Sequence, residues 1–262
     1  MLVITLWHFQ PNNVIGIQVP SQVLHSKKFP FQKLESTLQI LFADSKQFPN
    51  YDALIANPQP LYDYLGLIAD RGPQSTPHRF IRQEERLAYA LNAYQAALIA
   101  VIIQHCPLKD LATPYWFHGL FWRVGLRVDG RIQSINDLAA EVADLSQGDW
   151  RVYLALNKGI TTSLPMSSQA WTPTNITNKL QALEKQLLQE GPWLKLDRDQ
   201  KSISLSGPFI WYENHFESTP FDYVKKHSPY AQMELAHVQT HAIDWTVRGQ
   251  CSQALKNVPS AH

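Results

Sequence analysis

Hydrophobic residues recur with a helical period most clearly over residues 82–105. The apolar positions fall three, four and seven residues apart and define one stripe: Leu87, Leu91, Tyr94, Leu98, Val101 and Ile102. The opposite side carries Glu85 and Asn92 among alanines, which let another element approach closely. We therefore predict a long central helix packed on two sides and ended by Pro107, in which Glu85 and Asn92 are buried and bind backbone groups.

Shorter segments with the same period predict peripheral helices over 31–43, 51–69, 175–188 and 231–240. Residues 71–77 form the clearest loop. Apolar runs flanking Asp129-Gly130 and 197–200 predict β-hairpins within 121–135 and 193–205. Residues 1–20 predict one or two strands with a turn at Asn12-Asn13. Helices and hairpins alternate without a βαβ rhythm, so the predicted fold is α+β: a single domain with a buried central helix, antiparallel hairpins and peripheral helices.

The segment 151–165, RVYLALNKGITTSLP, combines a predicted strand with a small polar loop closed by Pro165. Such loops often hold binding or reacting groups. Lys158 is the best catalytic candidate, because a desolvated lysine can act as a base or an amine nucleophile. The loop could instead bind an anion through hydroxyls and backbone N–H groups, or Lys158 could be a solvated surface lysine. The candidate pocket consists of Glu85, Asn92, Tyr94, Asn157, Lys158, Thr161, Thr162 and Ser163.

Four of these candidates, Glu85, Asn92, Tyr94 and Asn157, also have a structural interpretation that we weigh against a pocket. Asn157 and Gly159 would shape the turn, with glycine supplying a positive φ. Glu85, Asn92 and Tyr94 would form a hydrogen-bond network that fixes the long helix, which we consider the stronger interpretation.

Composition excludes several classes of protein. The chain has 262 residues, is 45% hydrophobic and 17% charged, and has a net charge of +1. This is the composition of a globular protein, and it lacks the basic surface of a nucleic-acid binder. No apolar stretch reaches eighteen residues, so we predict no membrane span. The N-terminus has no basic n-region and no clear small-residue cleavage site, so we predict no signal peptide. We also predict no cofactor. Aromatic residues at 115–117 and at Phe121-Trp122 are a candidate surface for a protein partner, although they could equally cover the sheet.

The cysteines and histidines give weaker signals. Cys106 and Cys251 form no CxxC pair, so we predict a structural Cys106, a loosely packed Cys251, no disulfide scaffold and a cytoplasmic, reducing compartment. His237, His241 and Asp244 would share one face of the predicted C-terminal helix. That spacing makes His237 and His241 weak metal candidates, because the glutamate of the HExxH motif is absent.

Read in order, four blocks resemble the bacterial and plant domain-of-unknown-function family 547. They are LAYALNAYQA at 87–96, the segment 125–138 ending in SINDL, the LNxG core and SxP end of 151–165, and SLSGPFIWYENHF at 204–216 together with Asp244-Trp245. The resemblance implies an N-terminal extension at 1–48 that packs on the domain, a family-like α+β domain at 49–250 and a tail at 251–262.

The departures from the family pattern lie at titratable positions. The family has a histidine near 153, cysteines near 158 and 164, a Glu-His pair after the second block and an aspartate after the Trp-Tyr pair. The corresponding residues of this chain are Tyr153, Lys158, Leu164, Ala139, Ala140 and His215. The resemblance therefore implies a diverged member that keeps the scaffold and lacks the reactive set.

Our leading expectation is a binding or interaction protein, or a catalytically reduced member of the family. The first alternative is a hydrolase- or transferase-like enzyme with a pocket around Lys158. The second is metal binding through His237 and His241.

Overall fold

The computed structural model describes residues 11, 13–15, 28–109, 111, 119–231 and 237–255. The α-helices in these ranges are α1 (Glu35–Leu41), α2 (Tyr51–Ala56), α3 (Gln59–Ala69), α4 (Gln83–His105), α5 (Gly119–Arg123), α6 (Ile135–Asp144), α7 (Ile176–Leu187), α8 (Pro208–Trp211) and α9 (Pro220–His227). The strands are β1 (Asn13–Ile15), β2 (Val124–Val128), β3 (Arg131–Ser134), β4 (Leu194–Asp197), β5 (Ser202–Leu205) and β6 (His237–Thr240). Short 3₁₀ helices span Phe31–Leu34, Pro77–Arg79, Trp150–Ala155 and Glu213–His215. This layout confirms the predicted α+β class.

Helix α4 forms the centre of the fold. Every residue from Leu87 to Ile103 is buried, so the helix is enclosed on all sides, which exceeds the predicted packing on two. Among the described helices, α4 alone is long and apolar enough to cross a membrane, and 94% of its most apolar window is buried inside the fold. The apolar surface of α4 is therefore covered by other residues of the hydrophobic core.

Polar side chains of α4 hold neighbouring segments in place. Four buried side chains donate hydrogen bonds to backbone carbonyl oxygens: Tyr89 to Ile68 at 3.2 Å, Asn92 to Trp171 at 2.8 Å, Tyr94 to Asn157 at 2.7 Å and Gln95 to Ser167 at 2.6 Å. Three of these four contacts fall on the stretch 157–171. Because buried polar groups need partners, α4 positions that stretch through directed bonds as well as through packing.

Two small mixed sheets complete the fold. In the first, β2 pairs antiparallel with β3 and parallel with β1. The predicted turn between β2 and β3 is confirmed, with positive φ at both Asp129 (51°) and Gly130 (78°), as a two-residue hairpin with this twist requires. In the second sheet, β5 pairs antiparallel with β4, as predicted, and parallel with β6.

The apolar residues form two clusters. The main one surrounds α4 and includes Phe29, Phe31 and Leu34, so residues 29–42 of the predicted N-terminal extension pack into the core of the domain. The second lies between α7, the β4–β5 hairpin and α9, where Trp193 and Tyr223 are buried. Most of the predicted strands at 1–20 lie outside the described residues, but Asn13, predicted as turn, belongs to β1.

Two predicted elements are wrong. The predicted strand at 151–156 is a 3₁₀ helix, Trp150–Ala155. The Asp149 side chain caps this helix by accepting from the Arg151 backbone N–H at 3.1 Å, and it also binds the Arg151 guanidinium at 2.8 Å. In the predicted helix at 231–240, the last four residues instead form strand β6, which pairs parallel with β5. Residues 232–236 lie outside the described part of the chain.

The prediction of unpaired cysteines is also wrong. Cys106, just after α4, forms a disulfide with Cys251, 145 residues later in the chain. The predicted loosely packed Cys251 is therefore a covalent anchor for the C-terminal segment. Disulfides persist in oxidising compartments, so the cysteines do not support the predicted cytoplasmic location.

Candidate functional site

The loop at 157–163 follows the Trp150–Ala155 helix and is shaped by Asn157. The Asn157 Oδ1 accepts from the Gly159 N–H at 2.5 Å, and its Nδ2 donates to the carbonyl of Leu164. Gly159 has φ +70°, and a Cβ there would lie 2.7 Å from the Ile102 side chain of α4. Both the backbone conformation and the close approach to α4 require glycine, which confirms that Asn157 and Gly159 shape this turn.

The three hydroxyl candidates are occupied by bonds within the chain. The Thr162 hydroxyl accepts from the Asp244 N–H at 2.7 Å and donates to the Asp244 carbonyl at 3.1 Å. Thr161 donates to the Thr246 carbonyl at 3.2 Å, and the Ser163 hydroxyl accepts from the Lys158 N–H at 3.2 Å. The bonds of Thr161 and Thr162 hold the loop against the segment 244–248. In this arrangement the hydroxyls stabilise the fold, and these bonds would have to break before the hydroxyls could bind a ligand.

Lys158 lies in the most unusual environment of the predicted residues. Its ammonium lies 5.1 Å from the ring centroid of Trp211 and 5.4 Å from that of Phe121. Among the described residues, no hydrogen bond or ion pair reaches this ammonium. Burial lowers the pKa of Lys158, because a desolvated ammonium is less stable than the neutral amine. The two rings compensate part of that cost through cation–π attraction.

Further aromatic side chains extend from this lysine. Trp245 lies 6.2 Å from Trp211, measured between ring centroids. We call Phe121, Trp211 and Trp245 the aromatic wall; all three are only partly buried. Trp211 packs against the main cluster and remains accessible beside Lys158. The wall gives Lys158 a planar, apolar surround on which a ligand body can pack.

A second aromatic group adjoins the wall through Tyr212. Tyr212 stands next to Trp211, with ring centroids 6.3 Å apart, and its hydroxyl donates to the Leu156 carbonyl at 3.4 Å. Tyr153 lies 5.5 Å from Tyr212 and stacks on His215 at 3.9 Å. Tyr153 and His215 occupy positions where the family pattern has titratable residues, and here they form an aromatic contact.

The structure does not bring Glu85 and Asn92 to this site. Glu85 is not buried as predicted, because it caps the start of α4 by accepting from the Arg82 N–H at 3.0 Å. It precedes Tyr94 by nine residues, about 13 Å along the helix axis. Asn92 is fully buried, and it both donates to the Trp171 carbonyl and accepts from the Trp171 N–H, each at 2.8 Å. The predicted backbone partners of Asn92 are confirmed, and they hold its amide on the backbone of Trp171.

The metal candidates also lie apart. His237 begins strand β6, where four residues span about 13 Å, so His237 and His241 cannot bind the same ion. The two ring nitrogens of His241 bind Ser204 Oγ at 2.9 Å and the Pro192 carbonyl at 2.8 Å. Within the described ranges, no group of three His, Cys, Asp or Glu side chains is placed to hold a metal ion.

Two residues near this loop were missed from the sequence. Neither Trp245 nor Arg248 was a candidate for the site in the sequence. Arg248 is 9% exposed, and its guanidinium donates to the Ser163 carbonyl at 2.7 Å. A single arginine in a polar stretch carries no periodic or motif signal, so only the fold reveals its burial.

No protein-family model matches the sequence, and no curated protein or solved structure matches the chain. The resemblance to family 547 therefore stays a prediction based on the four blocks.

Proposed function

We propose that this chain is a binding protein rather than an enzyme, and that Lys158 with the aromatic wall is its site. The observation that carries the proposal is an ammonium held between two rings with no counter-ion among the described residues. A partly desolvated cation that lacks an internal partner gains most from an anionic ligand. The wall supplies the apolar contact that small-molecule sites combine with one or two charged groups.

The chemistry near Lys158 favours binding over turnover. Catalysis by a lysine needs a second group that moves a proton or polarises the substrate. Among the described residues, the ammonium of Lys158 contacts the rings of Phe121 and Trp211, which do neither. Together with the replaced cysteine and histidine positions, this supports a family-547-like scaffold that retains recognition without the reactive set.

Competitive lysine labelling tests the proposal directly. Acetylation with N-hydroxysuccinimidyl acetate, followed by peptide mass spectrometry, reports the reactivity of each lysine. We expect a panel of aromatic carboxylates and aromatic phosphates to contain compounds that protect Lys158 and leave the exposed Lys185 unchanged. The compounds that protect Lys158 should bind at least tenfold more weakly to Lys158→Met and nearly normally to Lys158→Arg. Equal protection of both lysines, or no protection across the panel, would contradict a site at Lys158.

The lowered pKa of Lys158 favours one alternative, in which the neutral amine acts as a base or nucleophile in a hydrolase- or transferase-like reaction. Hydrolysis of p-nitrophenyl acetate or p-nitrophenyl phosphate separates the two functions. We expect the wild type and Lys158→Ala to give the same slow rate as a Lys185→Ala control. Turnover that Lys158→Ala abolishes and Lys185→Ala leaves intact would establish the enzyme and overturn the binding proposal.

A further inference from the structure

A cleft of about 390 Å³ contains the buried Arg248 and is lined in part by Val247 and Gly249. We call it the Arg248 cleft and define it by Phe48, Thr161, Glu190, Pro192, Trp193 and Arg248. One wall comes from the turn between α7 and β4, and the other from the loop after α1. None of the residues in this cleft was a candidate from the sequence except Thr161.

Arg248 carries a positive charge that the described part of the chain does not neutralise. Its side chain is more than nine-tenths buried, yet it forms no ion pair with any described carboxylate. Of the five N–H donors of a guanidinium, one has a protein partner, the Ser163 carbonyl at 2.7 Å, and Nε is buried without any. Buried charges in proteins are normally paired, so this guanidinium lacks an anion.

The backbone fixes Arg248 before any ligand arrives. The Arg248 N–H donates to the Gly159 carbonyl at 2.9 Å, and the Val247 N–H donates to the Lys109 carbonyl at 2.8 Å. Gly249 has φ +110°, and a Cβ there would lie 2.2 Å from the Pro49 carbonyl oxygen. The chain therefore runs too close to Pro49 for a side chain at 249, and Arg248 is held between two anchored neighbours. A preorganised guanidinium loses little entropy when it binds an anion.

The other side chains indicate the class of ligand. Phe48 is 56% exposed, and its ring lies 5.3 Å from the Arg248 guanidinium carbon. Pro192 also lines the cleft, and its carbonyl accepts a hydrogen bond from His241 Nε2 at 2.8 Å. Glu190 at the rim is paired with Arg198 at 2.8 Å, so this ion pair adds no net charge to the cleft. A single guanidinium without a paired carboxylate suits a monoanion better than a phosphate dianion, and the apolar walls suit an organic body.

We infer that the Arg248 cleft binds the carboxylate of a small organic acid, with the guanidinium as its anchor and the apolar body of the acid between Phe48 and Pro192. This site is separate from Lys158, because neither Lys158 nor any residue of the aromatic wall lines the cleft. It does not depend on the function proposed for Lys158. A guanidinium and a carboxylate form two parallel hydrogen bonds, which is the geometry that a single buried arginine recognises best.

Thermal unfolding of the full chain with three probes tests the inference. Benzoate supplies the carboxylate and an apolar ring, benzamide supplies the ring without the charge, and inorganic phosphate supplies an anion without the ring. We expect benzoate to raise the unfolding midpoint in a concentration-dependent way, and benzamide and phosphate to have little effect. An equal shift with benzamide or with phosphate would overturn carboxylate recognition in this cleft.

Variants locate the effect. Arg248→Met should weaken benzoate binding at least tenfold, whereas Arg127→Met, which removes an arginine that is 58% exposed, should leave it unchanged. If Arg248→Met does not fold, Phe48→Ala decides, because this exposed ring can be removed without disturbing the core and its loss should weaken benzoate severalfold. Unchanged binding in Phe48→Ala would contradict the cleft. Lys185→Met, which removes an exposed lysine outside both sites, should keep full benzoate binding, and full benzoate binding in a folded Arg248→Met protein would overturn this inference.

Discussion

Replacement of Asn92 by leucine tests whether the polar face of α4 organises the fold or lines a pocket. Asn92 is fully buried and makes two hydrogen bonds of 2.8 Å with the backbone of Trp171. A leucine of similar size removes both bonds and leaves a buried N–H and a buried carbonyl of Trp171 without partners. Each such orphaned group costs about 1–3 kcal/mol, so Asn92→Leu should lower the free energy of unfolding by about 2–6 kcal/mol.

Urea unfolding followed by circular dichroism gives this free energy from the midpoint and the slope. Gln95→Leu is the matched control, because Gln95 lies on the same helix and makes one hydrogen bond, to the Ser167 carbonyl at 2.6 Å. It should cost about 1–3 kcal/mol, clearly less than Asn92→Leu. A midpoint for Asn92→Leu at or above that of Gln95→Leu would refute the structural role. If the Asn92→Leu protein is as stable as the wild type but ligands no longer protect its Lys158 from acetylation, Asn92 instead belongs to the pocket.

Three further predictions concern charge, covalent linkage and backbone strain. Burial lowers the pKa of Lys158 in the folded protein below the 10.5 of the unfolded chain, so the unfolded state binds more protons at a pH between these two pKa values. The free energy of unfolding of the wild type should therefore rise with pH in that window relative to that of Lys158→Met. The same pH dependence of urea unfolding in both proteins would contradict this. Removing the disulfide with Cys106→Ser and Cys251→Ser should cost about 5 kcal/mol for a loop of 145 residues, and an unfolding midpoint indifferent to dithiothreitol would contradict the cross-link. Gly249→Ala should cost more than Gly148→Ala in urea unfolding: both have positive φ, but the Cβ at 249 meets a carbonyl oxygen at 2.2 Å and that at 148 meets nothing within 4 Å. Equal losses would show that the contact is relieved.

The sequence predicted those elements whose signal is local. The period of α4, the Asp129-Gly130 turn and the amphipathic face of α7 each depend on neighbouring residues alone, and all three are confirmed. The failures are elements that distant residues decide. The run 151–156 has a strand-like composition, but the Asp149 cap and the ion pair between Arg151 and Glu184 of α7 fix it as a 3₁₀ helix.

The candidate site was predictable only in part, for the same reason. Lys158 and the turn around Asn157 follow from the loop itself. The rings of Phe121 and Trp211 reach Lys158 from far along the chain on each side, so its environment could not be derived from the loop. The hydroxyls of Thr161 and Thr162 looked available in sequence, yet their partners lie in the segment 244–246, more than eighty residues later. Arg248 gave no signal because its burial depends on three separated segments.

The C-terminal segment that the Cys106–Cys251 disulfide anchors has a consequence for biosynthesis. Residues 244–248 supply Trp245 of the aromatic wall, the partners of Thr161 and Thr162, and Arg248 itself. A ribosome that has translated α4, the loop at 157–163 and both strands of the β4–β5 hairpin has made most of the core but neither complete site. Until residues 244–253 have been synthesised, the loop at 157–163 lacks these partners; Asp52 of α2 then accepts from the backbone N–H groups of Ser252 and Gln253 at 2.8 and 2.9 Å. Chains truncated before residue 244 should therefore leave this loop without the contacts that hold it, and proteases should cleave it more readily than in the full chain.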